Sequence, residues 1–334
     1  MHTLLLVDDD PDVLATLRRN FRRTYTILTA AGGAEAIAHI NNQAIDLIIC
    51  DQRMPEITGD QVLLHAYQNQ PEMIRILLTG YTDMELLVNC VNDAHIYQYI
   101  SKPWEPEDLK RMVQRALESL MLKRQLDTAH QQLATAYRDT VVMLCMAAEG
   151  KDEDTSSHLF RVQYYSQRLA EVMGFEIDDA KHLGLMSMLH DIGKLYVPDK
   201  ILKKPAKLDA EEWQAMEKHP LHGVKILGDN PFYQQAREIS AGHHEKYDGS
   251  GYPNKVKGDE IPLAARIVKV ADVFDALTSK RPYKEPWTMQ AAIELIESEA
   301  GTSFDPEIVK QFRILFDNGE LHQIAKRIAE DTLQ

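Results

Sequence analysis

The feature that most constrains this chain is a run of five short apolar segments in its first hundred residues, alternating with helix-like stretches. The segments are the run up to Val7, Tyr25 to Thr29, Asp46 to Cys50, Ile74 to Leu78 and Tyr97 to Ile100. Runs this apolar suit strands buried on both faces of a parallel sheet. Between them lie amphipathic stretches such as PDVLATLRRNF, where Asp10 and Pro11 predict a helix start. Five such units predict an α/β doubly wound, five-stranded parallel sheet, whose ligands collect at the carboxyl ends of the strands. Polar residues stand at those ends: Asp8 and Asp9 after the first, Asp51 after the third, Thr79 after the fourth and Lys102 after the fifth.

Three carboxylates converging on one crevice repel one another unless a hard divalent cation joins them, and magnesium prefers oxygen ligands. Such a cluster is suited to receiving a phosphoryl group on a carboxylate. The segments VDDDP, CDQRMPEITG, LTGYTD and YQYISKPW resemble the response-regulator receiver family over about residues 1–120. That resemblance implies Asp51 as the phosphoacceptor, with Asp8, Asp9 and Asp51 around a magnesium ion that the backbone carbonyl of Arg53 also meets. It further implies that Thr79 and Lys102 contact the phosphoryl oxygens and that Tyr99 is the switching aromatic. Asp10 stands where the family commonly has Glu.

A chain of 334 residues exceeds one ordinary domain. Residues 121–148 read as a helical linker: from Glu105 to about Ala148 there is no proline after Pro106 and no glycine. Leu126, Ala129, Leu133, Ala136, Thr140 and Met143 recur at 3,4 spacing and favour a parallel dimer helix over a helix packed on its own domain, although the register set by Leu109, Val113, Ala116 and Leu120 slips near Lys123. Residues 149–334 carry no strand-like alternation and predict an all-α domain.

Seven of the 13 histidines fall between His158 and His244. In order, the polar signals are His158, His190 with Asp191, His219, His243 with His244, and Asp272. Imidazole mixed with carboxylate suits iron, manganese, zinc or nickel better than magnesium or calcium. Polar pairs inside apolar stretches such as LMSMLHDIG need a reason to be buried, and a metal is one. The three cysteines, Cys50, Cys90 and Cys145, form no CxxC and supply no thiolate site.

The segments LHDIGKLYVPDKIL, KHPLHG, HHEKYDGSGYP and VADVFDALTSKRPYK, in this order, resemble the HD-GYP cyclic di-GMP phosphodiesterases. The resemblance implies His158, His190, Asp191, His219, His243, His244 and Asp272 as ligands to two transition-metal ions, iron or manganese preferred, with Asp191 bridging. It implies that Lys194 contacts the scissile phosphate, and that Arg281 and Lys284 grip the other phosphate or the bases. In some members a carboxylate four residues before the first ligand histidine holds a third ion, and Asp154 occupies that offset from His158. DEDTSSH departs from the family's usual DPYTxGH-like pattern at this point.

The implied whole is a two-component response regulator whose output hydrolyses cyclic di-GMP to pGpG and then GMP. Two other readings stand beside it: another cyclic dinucleotide as substrate, such as cyclic GMP-AMP, or a module that binds without turnover. A cognate sensor histidine kinase, a homodimer and a diguanylate cyclase contact through the Gly249, Gly251 and Pro253 loop are the expected partners. Both halves are acidic within a formal net charge of -14, which argues against a DNA-binding surface. No apolar run approaches the roughly 18 residues of a membrane span. The expected setting is cytoplasmic.

Overall fold

The computed structural model describes residues 1–80, 94–149, 156–280 and 285–331. They form two units, Met1–Leu133 and Ala134–Gln334.

In the first unit, strands β1 (Thr3–Val7), β2 (Thr26–Ala30), β3 (Leu47–Asp51), β4 (Ile74–Thr79) and β5 (Gln98–Ser101) make one sheet in the order β2-β1-β3-β4-β5. Every pairing is parallel. Leu5 and Val7 of β1 pack on one face of the sheet with Ile48 and Val62, while Leu4 and Leu6 pack on the other with Leu17 and Val113. Burial on both faces is why these strands read as continuous apolar runs. The strands extend one residue beyond the runs at β3 and β4, because backbone pairing of Asp51 with Leu78 and of Thr79 with Ser101 continues the ladder regardless of side-chain polarity. Helix α1 (Pro11–Phe21) starts where expected: Asp10 caps it, its side chain accepting a hydrogen bond from the Asp12 amide, and Pro11 occupies the first turn.

Helix α4 (Pro106–Glu149) is continuous for 44 residues and crosses the boundary between the units at Leu133 and Ala134; α2 (Gly33–Asn42) and α3 (Gly59–Asn69) are the other described helices of the first unit. The slip of register near Lys123 has a physical origin. Leu109, Val113, Ala116, Leu117 and Leu120 are buried in the first unit's core, and Val141, Cys145 and Ala148 in the second's. Between these anchors α4 is solvated, with Leu126 and Leu133 55% and 68% exposed.

The second unit is helical. Helices α5 (Ser156–Val172), α6 (Ile177–Ser187), α9 (His219–Leu227), α10 (Gln234–Gly242) and α11 (Leu263–Thr278) surround one apolar core that includes Tyr165, Phe274 and Phe312. Short helices α7 (Asp199–Leu202) and α8 (Ala210–Met216) follow a 3-10 turn, Ile192–Tyr196. Helices α12 (Met289–Ser298), α13 (Pro306–Asp317) and α14 (Glu320–Asp331) complete the bundle. No described helix is long and apolar enough to cross a membrane.

Candidate active site and receiver crevice

In the first unit the sheet order reverses direction between β1 and β3, which opens a crevice at their carboxyl ends. Asp8, Asp9 and Asp51 present oxygens within 4.8 Å of one another there. Lys102 reaches in from beyond β5, its Nζ donating to Asp8 Oδ2 at 2.8 Å and pairing with Asp51 Oδ1. The Arg53 amide donates to Asp51 Oδ2 at 3.1 Å. Burial raises the Asp51 pKa even though Lys102 opposes it, so this carboxylate sits under an electrostatic load that a cation would relieve. Thr79 is buried at the end of β4, its hydroxyl donating to the Gly80 carbonyl. Tyr99 is on β5 and about half exposed.

The second unit brings the seven described histidine and aspartate candidates into two adjoining clusters. Asp191, His219, His243 and His244 form one, and His158, His190 and Asp272 the other, each with ligand atoms within 4.8 Å of one another. Asp191 joins them. Its Oδ1 lies 3.1 Å from His219 Nε2 and 3.5 Å from His243 Nε2, while its Oδ2 lies 3.3 Å from His190 Nε2. Asp272 Oδ1 stands 3.7 Å from His158 Nε2 and 3.9 Å from His190 Nε2.

The rear nitrogen of each of four rings is held. His190 Nδ1 faces the Ser187 carbonyl at 2.8 Å, His219 Nδ1 the Met216 carbonyl at 2.8 Å, and His243 Nδ1 the Ser240 carbonyl at 3.0 Å. His158 Nδ1 faces Asp275 Oδ2 at 2.7 Å. A carbonyl only accepts, so these bonds place the proton on Nδ1 and turn the Nε2 lone pair into the centre, the outer-shell arrangement of metal-bound imidazole. His219 Nε2 and His243 Nε2 then face each other at 3.4 Å. His190 Nε2 and Asp191 Oδ1 are buried without a hydrogen-bond partner. Buried polar atoms of this kind are costly unless something binds them, and a donor set of imidazoles and carboxylates fits a pair of transition-metal ions sharing Asp191.

Without a cation, the electrostatics divide the rings into neutral and protonated ones. Burial favours neutral His243 and His244, lowering both. His190 is driven up to about 9 because Asp191 and Asp272 outweigh its burial. Asp191, although buried, is held well below the usual carboxylate range by Lys194 and the imidazoles.

Lys194 reaches the site through a tight turn that follows Asp191. Residues Ile192–Tyr196 form a 3-10 helix, in which positions three apart eclipse, so Lys194 pairs with Asp191, with Nζ 2.9 Å from Oδ2. The tight turn depends on Gly193: a Cβ there would stand 1.9 Å from the His219 carbonyl oxygen. Asp154, Arg281 and Lys284 lie outside the described residues.

Three residues that shape the site escaped the sequence reading. Asp275, fully buried, holds His158 and also pairs with Arg161; its signal was the i,i+3 carboxylate pair in ADVFDAL, which puts Asp272 and Asp275 on one face of α11. Glu245 accepts from the Asn254 and Lys255 amides at 2.6 and 3.0 Å, pinning the loop that follows His244. That loop passes so close that a Cβ on Gly251 would stand 2.5 Å from the Glu245 Cα. It sets Tyr252 in a stack on His244, ring centroids 4.8 Å apart and planes 22° apart.

Comparison with known proteins follows the same division. The response regulator receiver domain matches residues 4–114 and the HD domain residues 142–308. A cyclic di-GMP phosphodiesterase of Thermotoga maritima is 33% identical, the match covering 93% of this chain and 89% of that one. The cyclic di-GMP phosphodiesterase response regulator RpfG of Xanthomonas campestris is 32% identical, with 96% and 89% covered. A 3'3'-cGAMP-specific phosphodiesterase of Vibrio cholerae is 42% identical over 61% of this chain and 40% of that protein.

Proposed function

The chain belongs to the response-regulator cyclic di-GMP phosphodiesterases, in which a receiver precedes an HD domain, and from that membership we propose that the paired clusters around Asp191 hydrolyse cyclic di-GMP to pGpG and then GMP. The observation that carries the reading is the division of labour within Asp191: one oxygen faces His219 and His243, the other His190. A carboxylate so placed is built to be shared by two cations.

His158, His190 and Asp272 would hold one ion, His219, His243 and His244 the other, and Asp191 both; we assign iron or manganese from the mixed nitrogen and oxygen donors. When bound, such a pair supplies water activation at neutral pH and neutralises phosphoryl charge. The protein's own contribution is orientation. Carbonyls and Asp275 fix the imidazole tautomers, and Lys194, its Nζ 2.9 Å from Asp191 Oδ2, stands beside the centre, where it would donate to a phosphoryl oxygen as charge develops. Asp154 for a third ion, and Arg281 with Lys284 for the second phosphate or the bases, complete the assignment.

In the receiver, Asp8, Asp9 and Asp51 would hold magnesium, with Asp51 phosphorylated from a sensor histidine kinase, Thr79 and Lys102 meeting the phosphoryl oxygens and Tyr99 responding. We further propose a homodimer through α4, a diguanylate cyclase contact at the Gly249 to Pro253 loop, and a cytoplasmic setting, which the cysteine usage supports.

The test is to load the protein anaerobically with iron or manganese, incubate it with cyclic di-GMP and with cyclic GMP-AMP, and separate the products. Conversion of cyclic di-GMP to pGpG, slowed about 10² to 10³ by Lys194→Ala at unchanged metal content, is the expected result. Binding without cleavage under every metal would overturn it. Faster cleavage of cyclic GMP-AMP is the second reading, and the 42% identity to a cGAMP-specific enzyme is what favours keeping it in the experiment.

A further inference from the structure

Trp213, on the short helix α8, is an aromatic side chain that none of the assigned chemistry uses, and it is 48% exposed. Scattered apolar side chains on a surface need no explanation, but this one is held in place twice. Its indole Nε1 donates to Glu217 Oε1 at 2.7 Å, and its ring centre lies 6.4 Å from that of Tyr252. Tyr252 in turn stacks on His244, with ring centres 4.8 Å apart, and lies 6.5 Å from His219. Two ring-to-ring steps therefore lead from a candidate metal ligand to an indole in solvent. The Trp213 and Tyr252 planes are 75° apart, so Tyr252 covers no more than one face of that indole.

The helix that carries the indole is itself pinned. Seven residues make a marginal helix in isolation, yet α8 is tied at both ends. At its start Asp209 accepts from the Glu211 and Glu212 amides at 3.0 and 2.9 Å, and Glu212 accepts from the Asp209 amide in return. At its end the Met216 carbonyl holds His219 Nδ1 at 2.8 Å. One short helix thus orients an imidazole of the candidate centre and presents Trp213 beside it, so their separation is fixed by construction.

Resting on the cyclic dinucleotide reading of the two histidine clusters, we propose that Trp213 is the stacking platform for one nucleobase of the substrate. A cyclic dinucleotide held at the centre by one phosphodiester must place its bases beside that centre, one sugar away. What stands beside it here is an aromatic surface with the Glu217 carboxylate at its edge. That carboxylate repels a phosphate, whereas a base is neutral and offers its own π-face to the indole. Stacking tolerates base identity because every base has such a face. Trp213 therefore supplies affinity for guanine and adenine alike and leaves the choice between them to other contacts.

Kinetics and binding of the full-length, metal-loaded protein test this, with cyclic di-GMP and cyclic GMP-AMP as probes. Trp213→Ala should raise KM for whichever dinucleotide is cleaved by about tenfold or more, with kcat within about threefold of wild type and metal content unchanged. Trp213→Phe keeps a π-face and should recover most of the loss. In the Lys194→Ala protein, where turnover is slow, saturating dinucleotide should quench tryptophan fluorescence, and adding Trp213→Phe should abolish the quench. Preferred cleavage of cyclic GMP-AMP with the same KM effect would overturn the cyclic di-GMP assignment and support the platform. A KM that Trp213→Ala leaves unchanged, or a quench that Trp213→Phe leaves undiminished, would overturn the platform while the substrate reading stands. Neither binding nor cleavage of either dinucleotide would overturn both.

Discussion

At the residue scale, the candidate metal centre is shaped by groups outside the two clusters that would hold the ions. Asp275 is the clearest case: its carboxylate takes the rear nitrogen of His158 at 2.7 Å and is itself neutralised by Arg161 and the Ser279 hydroxyl. His158 is raised in consequence, against the effect of its burial, which means the ring is a stronger base and a stronger ligand. Asp275→Asn keeps the shape and removes the charge. It should lower affinity at the His158, His190 and Asp272 cluster about 10- to 100-fold, the usual weight of such partners, while the His219, His243 and His244 cluster keeps its ion. Competition against a chelator, read as two separate affinities per chain, checks this; equal weakening at both clusters would mean that Asp275 acts on the fold and not on His158. The two clusters were legible because HD and HH pairs inside apolar stretches are anomalous in a sequence. Asp275 was harder to see because a lone helical aspartate is ordinary until its partner, 117 residues away, is known to face it.

At the element scale, α4 carries three kinds of face in succession. Leu109 to Leu120 belong to the first core and Val141 to Ala148 to the second. Between them Leu122, Leu126, Ala129, Leu133, Ala136 and Thr140 repeat at spacings of four and three, all exposed, and the repeat runs on to the exposed Met143. A repeat of 3.5 residues is the pattern of a seam against another helix, since a helix lying on its own domain follows 3.6. Small and polar residues at alternate positions make it a weak seam. Leu126→Glu with Leu133→Glu should therefore shift the protein from dimer to monomer, measured by sedimentation at micromolar concentration, with little change in melting temperature because neither side chain is part of a core. A monomeric wild type would remove the dimer helix from consideration. The long helix was legible from the absence of glycine and proline, and the break in register marked its changes of surroundings. What the sequence concealed was the 3-10 turn at Ile192–Tyr196, since a single turn is too short to leave a period and its cause, the close approach of Gly193 to the His219 carbonyl, is tertiary.

At the scale of the whole molecule, the receiver crevice and the two histidine clusters belong to different units, and the chain passes from one to the other within α4. Phosphorylation of Asp51, as proposed, would add about -1.5 to -2 charges where Asp8, Asp9 and Lys102 already converge, and Lys102 would then exchange one anionic partner for another. A change that travels along a helix carries a rotational phase. Inserting four residues after His130 turns everything downstream by roughly 40°, whereas seven residues leave a residual of only about 20° and restore the 3,4 seam. If α4 transmits receiver state, the ratio of turnover with and without a small phosphodonor should collapse toward one in the four-residue insertion and recover in the seven-residue insertion. Both proteins should keep their metal content and the unstimulated turnover, because Val141, Cys145 and Ala148 still anchor the end of the helix in the catalytic core. Equal phosphodonor responses in the two insertions would show that the units communicate by a route other than the phase of this helix.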